Sequence, residues 1–163
     1  MIKQKCCPDC GEVLIEKELE HEGIVPYCPK CMKYRFPMYN VAVSMITIDI
    51  NTNMVLLIQQ YGKKDNILVA GYVTLGEKLE DAVARELKEE MNLEVDHLVF
   101  NTTKYYEPSN TLMCNFIAYV KTDSIKPNYE IDSFNWFSIN DVLNNIKPNS
   151  TAKYFYEEFL KKI

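Results

Sequence analysis

Residues 71 to 95 read "GYVTLGEKLEDAVARELKEEMNLEV" and hold Glu77, Glu80, Glu86, Glu89, Glu90 and Glu94. Leu79, Val83, Leu87 and Met91 recur every four residues, which predicts an amphipathic helix over 79–91. On that helix Glu86, Glu89 and Glu90 stand at i, i+3 and i+4 and share an arc of about 100°. Like charges so placed cost an isolated helix roughly 0.2 to 0.5 kcal/mol per pair. The nearby lysine, Lys88, belongs to another side of the helix. A divalent cation among the carboxylates would offset the repulsion. Oxygen-only ligands at that density suit Mg²⁺ or Mn²⁺ rather than zinc.

The second constellation is sulfur. "CPDCG" (7 to 11) and "CPKCM" (28 to 32) repeat Cys-Pro-x-Cys, with seventeen residues between Cys10 and Cys28. Two such pairs at that spacing aim four thiolates at one tetrahedral Zn²⁺. Cys7, Cys10, Cys28 and Cys31 are the expected ligands. Cys6 competes for the first place, and the Cys7 register is preferred because it reproduces the repeat. Four thiolates leave no position for water, so the zinc is expected to be structural. Cys114 lies in an apolar run and reads as a small core residue.

The elements that must hold these residues follow from periodicity. "NVAVSMITIDI" (40 to 50), a turn at "NTN" and "MVLLIQQY" (54 to 61) predict a hairpin. "NILVAGYV" (66 to 73) reads as a short strand leading to the acidic helix. "HLVFNTTKYY" (97 to 106), "TLMCNFIAYV" (111 to 120) and "IDSFNWFS" (131 to 138) read as further strands. "SINDVLNNI" and "STAKYFYEEFLKKI" read as helices, the latter capped by Ser150 or Thr151, its aromatics docking it or forming a dimer contact. Interleaved strands and helices give an α/β (α+β) class with a mixed sheet. Residues 1–36 are expected to be a zinc ribbon and 37–163 the larger domain.

From Gly71 the spacing runs five residues to Glu77, seven to Arg85, then Arg-Glu-aliphatic-x-Glu-Glu. This resembles the Nudix hydrolase box, G-x5-E-x7-R-E-U-x-E-E-x-G-U with U aliphatic. Asn92 stands at the last glycine, and Asn is the next most tolerant residue for the left-handed conformation that ends such a helix. The resemblance implies an α/β/α sandwich that hydrolyses nucleoside diphosphate-linked substrates with Mg²⁺ or Mn²⁺. By that resemblance Glu86 and Glu90 are principal metal ligands, and Glu89 assists or orients water. Glu77 and Arg85 pair in support, and Gly71 lets the chain turn. A ribbon ahead of this domain resembles the NADH pyrophosphatase family, which includes enzymes that remove NAD caps from RNA. Family positions carried over are Tyr72 and Tyr106 for the substrate base and Glu130, six before Trp136, as a further metal contact. The family's NAD-associated motif falls on "TKYYEPSNT" (103 to 111), where its glutamine and both prolines are absent in register. Broad selectivity among dinucleotides is therefore expected. The alternatives are cap removal from RNA and a non-catalytic zinc-ribbon sensor of nucleotide or nucleic acid. The family favours a homodimer.

The net charge of -5 excludes bulk attraction to nucleic acid, so an anionic substrate needs local cations. No apolar run approaches the ~18 to 20 residues of a membrane span. "MIKQKCCPDCGE" has no apolar leader region, which suggests a cytoplasmic protein, and six cysteines in that compartment argue against a disulfide framework.

Overall fold

In the computed structural model, β4 (Asn40–Asp49), β5 (Val55–Gln60) and β8 (Thr111–Lys121) are almost continuously apolar because helices cover both faces of the sheet they share. The structure describes residues 4–122 and 125–163. Side chains alternate between two cores. Val43, Met45, Leu56 and Ile58 face one side with Phe116, Ala118 and Val120. Ile46, Ile48, Val55, Leu57 and Ile117 face the other.

Helix α1 (Leu79–Met91) seals the first core with Ala82, Val83, Leu87 and Met91. Helices α2 (Val142–Asn145) and α3 (Thr151–Leu160) seal the second with Val142, Phe155, Tyr156 and Phe159. The result is an α/β/α sandwich around a mixed sheet. The strand order is β7-β8-β4-β5-β9, where β7 is Glu94–Tyr106 and β9 is Ile131–Phe137. The short β6 (Val69–Tyr72) pairs with the first half of β4. Strand β4 thus gives its first half to β6 and its end to β5, at Ile48 and Val55.

Helix α1 spans the residues that its periodicity predicts, and Asn92 ends it at φ 56°. The N–H of Leu93 then reaches back to the carbonyl of Leu87, closing the helix as a glycine would. Helix α3 is capped by Ser150, whose hydroxyl accepts from the N–H of Lys153 at 3.1 Å. The predicted helix over 138–146 shortens to four residues.

The chain forms two compact units, Met1–Asn40 and Val41–Ile163. The first is a three-stranded antiparallel sheet of β1 (Ile15–Leu19), β2 (Gly23–Cys28) and β3 (Lys33–Tyr34). These strands lack a clear alternation of apolar residues. Tyr27 and Tyr34 pack edge to face, with the Lys17 ammonium 4.0 Å from the Tyr27 ring centre.

Candidate functional site

The first unit brings its four cysteines to one point. Donor atoms of Cys7, Cys10, Cys28 and Cys31 all lie within 4.8 Å of one another. Cys7 Sγ stands 3.9 Å from Cys31 Sγ, and Cys10 Sγ 3.6 Å from Cys28 Sγ. Four sulfurs each about 2.3 Å from a tetrahedral Zn²⁺ would be about 3.8 Å apart, so the donor set fits such an ion. The residue after each pair is left-handed, Gly11 at φ 74° and Met32 at φ 56°. Met32 tolerates that conformation with its side chain in solvent. Cys6 is exposed and stays outside the cluster.

Crowded thiols resist losing every proton. Desolvation raises the Cys7 thiol, but the N–H groups of Asp9 and Cys10 and the neighbouring thiols outweigh it and lower it to about 6. Cys31 is pushed up to about 12, first by its hydrogen bond with Cys10 and then by desolvation. A cation at the centre would let all four ionise. Arg35, bound to Asp9 at 2.7 Å, adds positive charge to the same unit.

In the second unit the acidic residues gather around Arg85. Its Nε and Nη2 donate to the two oxygens of Glu77 at 2.7 and 3.0 Å. Its Nη1 donates to Glu86 Oε1 at 2.7 Å and Glu89 Oε2 at 3.2 Å, and Nη2 also reaches the Tyr72 carbonyl at 3.0 Å. The Glu77–Arg85 pair expected from sequence is therefore present. Arg85 and the Thr74 N–H hold the Glu77 carboxyl down at about 2. Lys88 turns away to Glu94 at 3.2 Å.

Arg85 thus reaches two of the three helix carboxylates as well as Glu77. It stands at i−4 from Glu89 and beside Glu86, and its side chain is long enough to span both. Gly71 is not a turn residue. It lies inside β6 opposite Val43 and lacks a positive φ. A β-carbon there would stand 2.0 Å from Cδ and Oε1 of Glu86, so its missing side chain is the space this carboxylate fills.

Among the described residues, no arginine or lysine forms an ion pair with Glu90. It is buried, and burial pushes its carboxyl up to about 7, aided by the charges of Glu86 and Glu130. The Gln60 amide donates to Glu90 Oε2 at 3.2 Å. Glu130 lies just before β9 and accepts from the Tyr61 hydroxyl at 2.8 Å. Its loop is tied to α1 because the N–H of Asn128 donates to the Glu90 carbonyl at 2.9 Å. Sequence reasoning missed Gln60 and Tyr61. The available signal was Tyr61-Gly62 directly after an apolar run, which marks a turn at the strand's end.

Tyr72 is exposed at the end of β6. Tyr106 ends β7, with β8 and β4 between it and β6, and no ring contact joins the two tyrosines. Among the described residues the cysteines alone form a set of three or more donors within 4.8 Å of one another. The carboxylates nonetheless fit a hard divalent ion chemically. They are all-oxygen, partly buried, and in Glu90 short of compensating charge.

The chain is 28% identical over 160 residues to a NAD-capped RNA hydrolase NudC of Vibrio atlanticus (strain LGP32), covering 96% of this chain and 58% of that protein. It therefore spans less than two thirds of that relative. A NUDIX hydrolase from Nitrosomonas europaea superposes with a TM-score of 0.62 at 23% identity, covering 97% of this chain and 93% of the other. The NUDIX domain of Shewanella oneidensis NrtR, crystallised with ADP ribose, superposes with a TM-score of 0.64 at 17% identity, covering 83% and 93%. Residues 38–159 match the NUDIX domain family model, and the chain belongs to that family.

Proposed function

We propose that this chain hydrolyses the pyrophosphate of a nucleoside diphosphate-linked molecule, most readily an NAD(H)- or ADP-ribose-like dinucleotide, releasing AMP. The observation that carries this reading is the buried acidic face of α1, where Glu86 fills the space above Gly71 and Glu90 stands beside Glu130. Glu86, Glu89, Glu90 and Glu130 would hold Mg²⁺ or Mn²⁺, which neutralises the diphosphate and lowers the pKa of bound water. In the hydrolysis, the water oxygen bonds to one phosphorus and the bridging P–O bond breaks. The bridging oxygen leaves on the other phosphate. Glu89, the most exposed of the three helix carboxylates, takes the proton that the water gives up. Arg85 keeps Glu86 and Glu89 in place, and Glu77 keeps Arg85 in place. Tyr72 and Tyr106, both exposed, would each offer a ring for stacking on a flat base. Zinc on the four cysteines would be structural, because folding is its only available work there.

A second reading moves the same chemistry to the NAD-capped end of an RNA. The name of the Vibrio relative favours it. We also infer a cytoplasmic homodimer, on the family resemblance. One panel tests both substrate readings: NADH, NAD⁺, ADP-ribose, diadenosine polyphosphates, FAD and NAD-capped RNA, each with Mg²⁺ or Mn²⁺ and with AMP or 5′-phosphorylated RNA as readout. Metal-dependent release from a dinucleotide supports the first reading. Turnover of capped RNA alone supports the second, and no turnover of any member defeats both and leaves a nucleotide sensor.

A further inference from the structure

The carboxylates of the acidic site divide into two groups. Glu77, Glu86 and Glu89 are held by the charge of Arg85. Glu90 and Glu130 are held by neutral donors, the amide of Gln60 and the phenol of Tyr61, which are adjacent in sequence. A neutral donor orients a carboxylate without cancelling its charge, whereas an arginine does both. The Glu90–Glu130 edge is thus oriented yet still demands a cation.

The backbone beneath these donors is unusual. Tyr61 has φ 56° and Gly62 φ 69°, and the N–H of Lys63 donates to the Gln60 carbonyl at 3.1 Å. That is a tight turn of the I′ class, whose first central position strongly favours Asn, Asp or Gly. An aromatic residue there is conformationally costly, and such strain gathers at functional sites. The turn is also pinned from outside. The N–H of Gly62 donates to Asp132 Oδ2 at 2.6 Å. The β5–β9 register slips between Gln59 and Gln60, so that Gln60 faces Ile131. The phenol gives Glu130 its hydrogen bond while the rest of the ring stays largely in solvent. Core packing therefore does not account for a tyrosine at this position.

We propose that Gln60 and Tyr61 are positioning residues which preorganise the Glu90–Glu130 edge for a divalent cation, Tyr61 by fixing the Glu130 carboxylate. The inference rests on the reading that these carboxylates take Mg²⁺ or Mn²⁺. Binding of Mn²⁺ to zinc-loaded protein, followed by the electron paramagnetic resonance signal of free Mn²⁺, tests it without any turnover. Tyr61→Phe removes only the hydroxyl, and Mn²⁺ affinity should fall about tenfold, as expected when an outer hydrogen bond to a ligand is lost. Tyr61→Asn suits the turn better, so it should melt higher than wild type while binding Mn²⁺ as weakly as Tyr61→Phe. A residue of purely structural importance would not separate stability from affinity in that way. In a Glu130→Ala background Tyr61→Phe should have no further effect, and Tyr129→Phe, in the exposed ring next to Glu130, should have none in any background. Wild-type affinity in Tyr61→Phe, or an equal loss with and without Glu130, overturns the inference alone. Failure of the wild type to bind Mn²⁺ overturns both the inference and the reading beneath it.

Discussion

A β-carbon on Gly71 would stand 2.0 Å from the carboxyl carbon of Glu86, a separation no pair of non-bonded carbon atoms tolerates. Strand β6 and helix α1 therefore meet where only hydrogen fits. Gly71→Ala is expected to reduce kcat/KM by roughly a hundredfold, the scale of a misplaced reacting group. The clash is with the far end of a flexible side chain, so Glu86 can swing aside at small cost to folding. The melting temperature should move little. Unchanged activity would show that Glu86 does its work from another position.

Glu90 should make the Mg²⁺-free protein less stable as pH rises. Its carboxyl lies at about 7 when folded, against an ordinary value of 4.5. Between those values the folded state keeps a proton that the unfolded chain has lost. The resulting stability is fully present below 4.5 and disappears as pH rises through about 7. Glu90→Gln, uncharged throughout, should not share that decline. Its melting temperature should exceed wild type at pH 8 by roughly 2 to 4 °C for each kcal/mol recovered, with turnover abolished. A constant difference between the two proteins from pH 4.5 to 8 argues against this account of Glu90.

Cys6 and Cys7 are neighbours with opposite expectations. Cys7 is buried in the sulfur cluster and Cys6 is exposed outside it. Metal analysis of protein purified under reducing conditions should find about one zinc per chain in wild type and in Cys6→Ser. Cys7→Ser should lose most of the zinc and unfold the first unit, whose core is otherwise small. A wild-type protein with a folded ribbon and no zinc would defeat the assignment.

What could be read from sequence divides along physical lines. Helix α1 was legible to the residue, because an apolar period of four and a left-handed Asn92 mark both its body and its end. The sheet was legible because strands buried on both faces have long apolar runs with Gly or Asn at their turns. The sulfur cluster was legible from spacing alone, since a knuckle is a local structure. The role of Gly71 was not, because it depends on which atom of a distant helix comes to rest above a strand. The reach of Arg85 across Glu86 and Glu89 depends on side-chain rotamers, which periodicity does not encode. Gln60 and Tyr61 were missed for a third reason. Their partners lie thirty and sixty-nine residues away, and a register slip against β9 sets which way they face.

Substrate selectivity should be broad. The segment "TKYYEPSNT", where the related family carries its NAD-associated motif, keeps an aromatic ring at Tyr106 but lacks the glutamine and both prolines in register. In the structure this segment is the end of β7 and the short turn Glu107–Ser109, with Tyr105 and Tyr106 both partly in solvent. An open aromatic platform of that kind favours flat rings in general over one nicotinamide in particular. NADH and ADP-ribose should accordingly differ by less than roughly 2 kcal/mol in transition-state stabilisation, about thirtyfold in kcat/KM. Tyr72 is exposed beside Arg85 and the acidic face, and stacking there would serve ground state and transition state alike. Tyr72→Ala should thus raise KM more than it lowers kcat, for NADH and ADP-ribose equally. Steady-state kinetics on both substrates at saturating Mg²⁺ decide the matter. If dinucleotides are inert and only a nucleoside triphosphate such as dGTP is cleaved, the platform reads a base in another context and the dinucleotide assignment falls.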